Sequence, residues 1–273
     1  MNHKLLGELV GKGRCAEVYN YGLGRVIKLF NNDFDIKYIE QEFSINKIIN
    51  DLNISAPKAY SIESVNQRMG IVYDKVDGTT LTSTIFDNSK SIHNYGELMA
   101  KLHLSIHSCK AASLPDGLSR FKNKILRQQL LSDYVKNELI EVANTLPNED
   151  TLCHSDFHFD NIMRNNEELI VIDWLGAYKG YPLLDVARSY LMLLSPSIPS
   201  YLNKPVNIVN KIQKEIAETY YNYYINNGSY SINETEIVNV FRIVAVERLY
   251  DNIPFERDWL LEIIKDKKIP TIS

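Results

Sequence analysis

Near Asp77-Gly78 the hydrophobic period of this 273-residue chain changes, and that one change restricts the folds open to it. Before it, short β-branched and aromatic runs (residues 5–10, 17–21 and 25–30) are punctuated by Gly7, Gly11, Gly13, Gly22 and Gly24, a pattern of strands and tight turns. One helical stretch follows, with an expected cap at Asn32 or Asp33 and apolar Ile36, Ile39, Phe43, Ile45 and Ile49 at mostly helical spacing. Two more strands are expected at 59–65 and 69–76, turning at Asn66-Gln67. Beyond Asp77-Gly78 the pattern is helical. Tyr95, Leu98, Met99, Leu102 and Ile106 form a stripe just after Asn94, a good N-cap residue, and residues 119–145 repeat the pattern. Further helical patterns cover 182–194, 205–226, 234–251 and 255–266, while short strand-like runs at 151–153 and 169–172 bracket a polar loop. The expected class is α+β and bilobal: a β-rich N-terminal lobe over residues 1–77 and a mostly helical lobe over 78–273.

Composition narrows the function classes. Hydrophobic residues at 45% and charged residues at 23% are enough for packed cores and leave little room for disorder. Thirty basic against 34 acidic side chains give a net charge of −4, which lacks the basic footprint of a nucleic-acid binder. No apolar run approaches the ~20 residues of a membrane span, and the first ten residues do not form a signal peptide. Cys15, Cys109 and Cys153 are widely spaced with no CxxC pair. The expectation is a reduced, cytoplasmic protein with neither nucleic acid nor membrane as partner.

The polar loop carries the chemistry. It reads His154-Ser155-Asp156-Phe157-His158-Phe159-Asp160-Asn161, followed by Val171-Ile172-Asp173-Trp174. Phosphoryl transfer to an alcohol needs a carboxylate that orients or accepts the hydroxyl proton, and oxygen ligands that hold Mg²⁺ on the phosphates. Asp156 and Asn161 match the spacing His-x-Asp-x-x-x-x-Asn that supplies both, and Asp173 ends the following strand, where a second metal carboxylate is expected. A polar loop closing a hairpin would account for any one of these residues, but not for the set in this order.

A second group lies upstream. Gly11-Lys12-Gly13-Arg14-Cys15-Ala16-Glu17-Val18 fits G-x-G-x-x-A-x-V between two strands, so backbone N–H groups can approach phosphates. Val26-Ile27-Lys28 places an amine on the next strand, and its expected partner is an acid on the following helix, Glu42 in preference to Glu40.

These residues together resemble the aminoglycoside phosphotransferase and choline kinase superfamily, relatives of the protein kinases. The similarity extends over most of the chain and includes the Gly-rich loop, Lys28, Leu98 to His103, Leu152 to Met163, Ile172-Asp173-Trp174 and Leu184-Asp185-Val186-Ala187. The resemblance implies a bilobal, protein-kinase-like fold with Asp156 as catalytic base, Asn161 and Asp173 as Mg²⁺ ligands, and Lys28 as phosphate clamp. Asp185 is implied to brace the catalytic loop. Ser155 stands where the family has Gly, and Ala16 where the third glycine belongs. A protein kinase proper fits less well, because Trp174 follows Asp173, Ser155 replaces the Arg of H-R-D, and no A-P-E occurs.

The implied activity is a small-molecule kinase using ATP or GTP. An aminoglycoside-like amino sugar leads as acceptor, with antibiotic resistance as an associated role; choline, ethanolamine or another hydroxylated metabolite is the alternative. A nucleotide-binding pseudokinase regulator is the reading of another class. Asp160 and Glu247 are candidates to present carboxylates to a cationic acceptor, against the plainer reading of each as a solvated surface acid. The strand entering Asp77-Gly78 is expected to form the hinge, with backbone groups of Asp74 and Val76 meeting the purine edge. Tyr73 then either borders the purine pocket as a gatekeeper that favours GTP or packs in the core. His103 and His107, at i and i+4, are read as packed or surface histidines, not metal ligands. Tyr220, Tyr221, Tyr223 and Tyr224 are read as amphipathic packing, not a cage for a quaternary ammonium.

Overall fold

The strands of the first third pair as their alternation requires. The computed structural model describes residues 6–85, 92–197, 205–230 and 233–270. Strands β1 (Leu9–Lys12), β2 (Ala16–Asn20), β3 (Arg25–Phe30), β4 (Ala59–Val65) and β5 (Arg68–Asp74) form an antiparallel sheet in the order β1-β2-β3-β5-β4. Gly22 and Gly24, at φ 72° and 70°, turn β2 into β3 through left-handed backbone. Asn66 and Gln67 do the same between β4 and β5, at φ 50° and 66°.

Helix α1 (Ile36–Asn50) covers one face of this sheet, where Ala16, Phe30, Ile39, Ala59, Ile71 and Tyr73 are buried together. Tyr21, Ile27, Leu29 and Val72 form a second buried cluster, so alternate residues of β3 and β5 serve opposite faces. The N-cap of α1 is Asp35, whose Oδ1 accepts from the Lys37 N–H at 3.0 Å. This corrects the cap expected at Asn32 or Asp33. Those residues are used up in a turn, closed by the Phe34 N–H on the Asn31 carbonyl at 3.0 Å. β5 ends at Asp74, so Val76 lies beyond the strand expected to contain it.

The chain divides into two compact units. The first ends at Leu81 and also takes in Asp160–Gly176, while the second runs Thr82–Phe159 and resumes at Ala177. A three-stranded sheet explains the return of 160–176: β6 (Thr79–Thr80) pairs with β8 (Ile162–Asn165), and β8 with β9 (Glu168–Val171). The Val171 N–H donates to the Ser55 carbonyl at 2.9 Å, and the Ser55 hydroxyl to Glu168 at 2.7 Å.

The second unit is helical. It contains α3 (Ile92–His107), α4 (Gly117–Arg127), α5 (Asp133–Thr145), α6 (Pro182–Leu193), α7 (Val206–Asn227), α8 (Glu234–Arg248) and α9 (Arg257–Asp266). A short helix, α2 (Leu81–Ile85), precedes them, and β7 (Leu152–Cys153) pairs with β10 (Tyr178–Lys179). α3 begins before Asn94, so that residue lies inside the helix and does not cap it. α6 and α8 are buried on nearly every side, which marks them as the central helices of this unit. Among the described residues no helix is long and apolar enough to cross a membrane.

One glycine is required by packing and another is not. A Cβ on Gly78 would lie 2.3 Å from the Arg164 carbonyl oxygen, a backbone atom held in the β6–β8 pair. A Cβ on Gly11 would meet Val18 at an ordinary 3.7 Å. Gly78→Ala is therefore expected to cost about 1–3 kcal/mol through overpacking, and Gly11→Ala to leave stability within about 0.5 kcal/mol. Thermal unfolding of the two variants checks this, and equal melting temperatures would contradict it.

Candidate active site

In the first unit, β3 and α1 bring opposite charges together out of water. Lys28 Nζ donates to Glu42 Oε1 at 2.8 Å and to Asp173 Oδ1 at 3.0 Å. Glu42 is 1% exposed, whereas Glu40 faces solvent, so the choice between the two glutamates falls to Glu42. The Tyr73 hydroxyl donates to the same Glu42 Oε1 at 2.8 Å. Burial alone would pull the Lys28 ammonium down, but the charges of Asp173 and Glu42 outweigh it and hold the amine above its ordinary value. Burial pushes the Glu42 carboxyl up, against the pull of Lys28.

Asn161 and Asp173 are neighbours in this unit. The Ile172 N–H donates to the Asn161 carbonyl at 3.0 Å, fixing Asn161 beside the residue that precedes Asp173. Asp173 sits at φ 63°, a conformation Asp tolerates, and its side chain is 43% exposed. A carboxylate and a carboxamide supply the hard oxygen donors that Mg²⁺ takes, so the residues fit that metal.

Gly11 lies opposite Val18 in the β1–β2 hairpin, and the Gly13 N–H closes the turn on the Ala16 carbonyl at 2.9 Å. A Cβ at either glycine would meet only ordinary contacts, so the protein's own packing does not demand glycine there. Ala16, in the place of the third glycine, turns its methyl into the core against Phe30. The Asp74 N–H is committed to the Lys58 carbonyl at 3.0 Å, and its carboxylate accepts from the Tyr60 hydroxyl at 2.7 Å. Val76 is half-buried in the segment after β5. Asp160, in the short turn Phe159–Asn161, is half-buried.

In the second unit the start of the polar loop, His154-Ser155, is suspended from Asp185 on α6. This fully buried carboxylate accepts from the His154 N–H at 2.5 Å and the Ser155 N–H at 2.7 Å. His103 Nε2 and His107 Nε2 lie 3.0 and 3.3 Å from its Oδ2, and their Nδ1 atoms lie 2.6 Å from the Tyr220 and Tyr224 hydroxyls respectively. A carboxylate only accepts, so both Nε2 atoms carry hydrogen. Burial holds the His103 imidazole down to about 3, so it is neutral. Burial would raise the Asp185 carboxyl, but its histidine donors outweigh that and keep it well below the carboxylate range. The metal-like grouping of His103, His107 and Asp185 is thus accounted for by hydrogen bonds. Tyr220 and Tyr224 share the buried face of α7, while Tyr221 packs on Tyr190 and Lys101 covers Tyr223.

Ser155 stands at φ 76°, left-handed backbone that suits the family's glycine better than serine. Three further groups hold it there: Arg188 Nε on its carbonyl, Arg120 Nη2 on its hydroxyl at 3.0 Å, and Asp185 on its N–H. Asp156 follows, with His158 Nε2 3.5 Å from its carboxylate. Burial pushes the Asp156 carboxyl up, but contact with His158 and the charge of Arg188 overcome this and hold it well below the usual range, so it is ionised at neutral pH.

Glu247 is neither a surface acid nor an open carboxylate for a cationic acceptor. It is 2% exposed on α8, accepts from Lys124 Nζ at 2.6 Å, pairs with Arg188, and has Arg120 at 3.8 Å. Those cations hold its carboxyl down to about 2 against burial. Arg188 also donates to Asp251 at 2.7 Å. No sequence motif announces Arg120, whereas Arg188 stands one turn after Asp185 in Leu184-Asp185-Val186-Ala187-Arg188, a spacing that places both on one face of α6.

The chain belongs to the phosphotransferase enzyme family, whose model matches residues 20–203. No curated protein matches it. Among solved structures it is similar to the ADP-bound aminoglycoside phosphotransferase APH(2'')-Ib, at 16% identity over 96% of this chain and 91% of that one, with a TM-score of 0.56. It is also similar to an aminoglycoside-3'-phosphotransferase of type VIII, at 14% identity over 88% of this chain and 91% of that one, with a TM-score of 0.58. A third is the streptomycin–ATP–APH(2")-IIa ternary complex, at 16% identity over 96% and 90%, with a TM-score of 0.54. At such identities the likeness establishes the fold, a kinase-like α+β arrangement, and the family match establishes a phosphotransferase.

The left-handed Ser155 yields a prediction. Ser155→Gly relieves backbone strain of about 1–2 kcal/mol while losing the Arg120 contact, so stability should change by less than about 1 kcal/mol. Ser155→Val puts a β-branched residue at positive φ and should cost at least about 2 kcal/mol. Urea unfolding distinguishes them, and equal midpoints would refute the account.

Proposed function

We propose that this phosphotransferase is a small-molecule kinase that moves the γ-phosphoryl of ATP or GTP to a hydroxyl of an aminoglycoside-like amino sugar. The observation that carries the reading is the Lys28–Glu42–Asp173 cluster: a half-buried amine on β3 that donates to Glu42 on α1 and to Asp173 just after β9, where a phosphate clamp is needed. Lys28 binds and offsets phosphate charge. Asn161 and Asp173 hold Mg²⁺, which when bound neutralises charge on the phosphate oxygens. Asp156, ionised, accepts the hydrogen of the attacking hydroxyl and orients that oxygen. Gly11 and Gly13 leave their backbone open to phosphates, and Asp74, its N–H already used, offers its carbonyl to the base beside Val76.

Support for the acceptor class comes from the relatives, which include complexes of APH(2")-IIa with streptomycin and with gentamicin. With Glu247 consumed by three cations, Asp160 is the remaining acid candidate for an amino group on the acceptor. The three free thiols suit a reducing, cytoplasmic setting.

A transfer screen of amino sugars, amino alcohols and nucleosides with MgATP and MgGTP tests the activity. Nucleotide binding with no turnover of any acceptor would assign the chain to regulation instead. With an acceptor in hand, Asp156→Ala should lower kcat by roughly 10²-fold or more and leave nucleotide binding intact. Near-full activity would remove Asp156 as the base.

The metal assignment has its own test. Asp173→Asn should weaken binding of the Mg²⁺-nucleotide and scarcely alter binding of the metal-free nucleotide. Calorimetric titrations with and without Mg²⁺ decide, and equal losses in both would contradict the role.

A further inference from the structure

We propose that Tyr73 is a positioning residue: its hydroxyl holds the Glu42 carboxylate, and through it the Lys28 amine, in place. The inference rests on the reading of Lys28 as the phosphate clamp. It assigns to Tyr73 a part that neither bulk beside a base nor packing alone requires.

The sheet register sets it up. Val26 pairs with Tyr73 and Lys28 with Ile71, so Lys28 and Tyr73 are diagonal neighbours on the face covered by α1. The Tyr73 ring is 8% exposed and fixed among Ala16, Phe30, Ile39, Ala59 and Ile71. From there its hydroxyl reaches Glu42 Oε1 at 2.8 Å, the atom that also receives Lys28 at 2.8 Å. Glu42 Oε2 is buried and has no hydrogen-bond partner among the described residues. Oε1 therefore carries both hydrogen bonds of a carboxylate removed from water.

The two donors differ in how firmly they are held. Lys28 is a flexible ammonium already shared with Asp173, and phosphate oxygens would claim it further. Tyr73 is neutral, rigid and has no competing partner in this cluster. As the ammonium turns toward phosphate, the tyrosine is the donor that stays on Glu42 and keeps α1 in register with β3 and β5. A phenylalanine would fill the same core volume without doing this.

The test separates hydroxyl from bulk. Tyr73→Phe, Glu42→Ala and the double variant are compared in MgATP and MgGTP hydrolysis without acceptor, in nucleotide binding by calorimetry, and in amide exchange of α1 in nucleotide-free protein. Tyr73→Phe should lower kcat roughly tenfold, the loss of one hydrogen bond to a charged group. Nucleotide Kd should stay within about twofold, the ATP-to-GTP ratio should not change, and the α1 amides should exchange faster. In the Glu42→Ala background the same substitution should add nothing, because Tyr73 acts through Glu42. Wild-type kcat with wild-type α1 exchange, additive losses, or a shifted ATP-to-GTP ratio would each overturn the proposal. If the wild type binds neither nucleotide, the clamp reading itself fails, while α1 exchange in Tyr73→Phe still tests the Tyr73–Glu42 contact.

Discussion

A carboxylate taken fully out of water must be repaid in hydrogen bonds, and in the second unit that carboxylate is Asp185. It accepts from two loop amides and two imidazoles. The two imidazoles add donors to those of the loop amides, so Asp185 is satisfied within the core and keeps its grip on the loop backbone. The shape of the residues leading into Asp156 depends on this arrangement. Removing the carboxylate would leave four buried donors unmet at once, a cost paid by the loop itself.

The first unit meets a related problem by other means. Glu42 is also buried, yet its charge is balanced by an amine that it shares with Asp173. A charge pair built for stability alone would be closed on itself, whereas Lys28 spans two acids, one of them half-exposed. Buried pairs seldom add net stability, so the arrangement is better understood as positioning. Beside Ser155, Arg188 and Glu247 form a pair of the closed kind, with Arg120, Lys124 and Asp251 completing it. The two clusters thus use similar residues in an open and in a closed arrangement.

The proposed site was legible in the sequence because its residues are local. Asp156, Asn161 and Asp173 lie within one short stretch, and Lys28 and Glu42 sit on the adjacent strand and helix that the pattern already placed. What escaped was set by contacts distant in sequence. Nothing in the period of 234–251 says that both faces of α8 are buried, so Glu247 looked like a surface acid. His103 and Tyr220 are 117 residues apart, as are His107 and Tyr224, and only the packing of α3 on α7 brings them together. The cap of α1 moved to Asp35 because a tight turn claimed the residues before it. Likewise, β6 is two residues long, too short to reveal its pairing with β8, which draws 160–176 into the first unit.

The paired arms on Asp185 have a consequence for how this chain can vary. Tyr220–His103 and Tyr224–His107 are equivalent routes to the same oxygen, one helical turn apart on both α3 and α7. Two parallel supports make a redundant bearing: wear on one leaves the load on the other. Substitutions can thus accumulate in α3 and α7 one arm at a time without passing through an unsupported loop. A core that must be both rigid and polar gains in this way a degree of evolutionary slack.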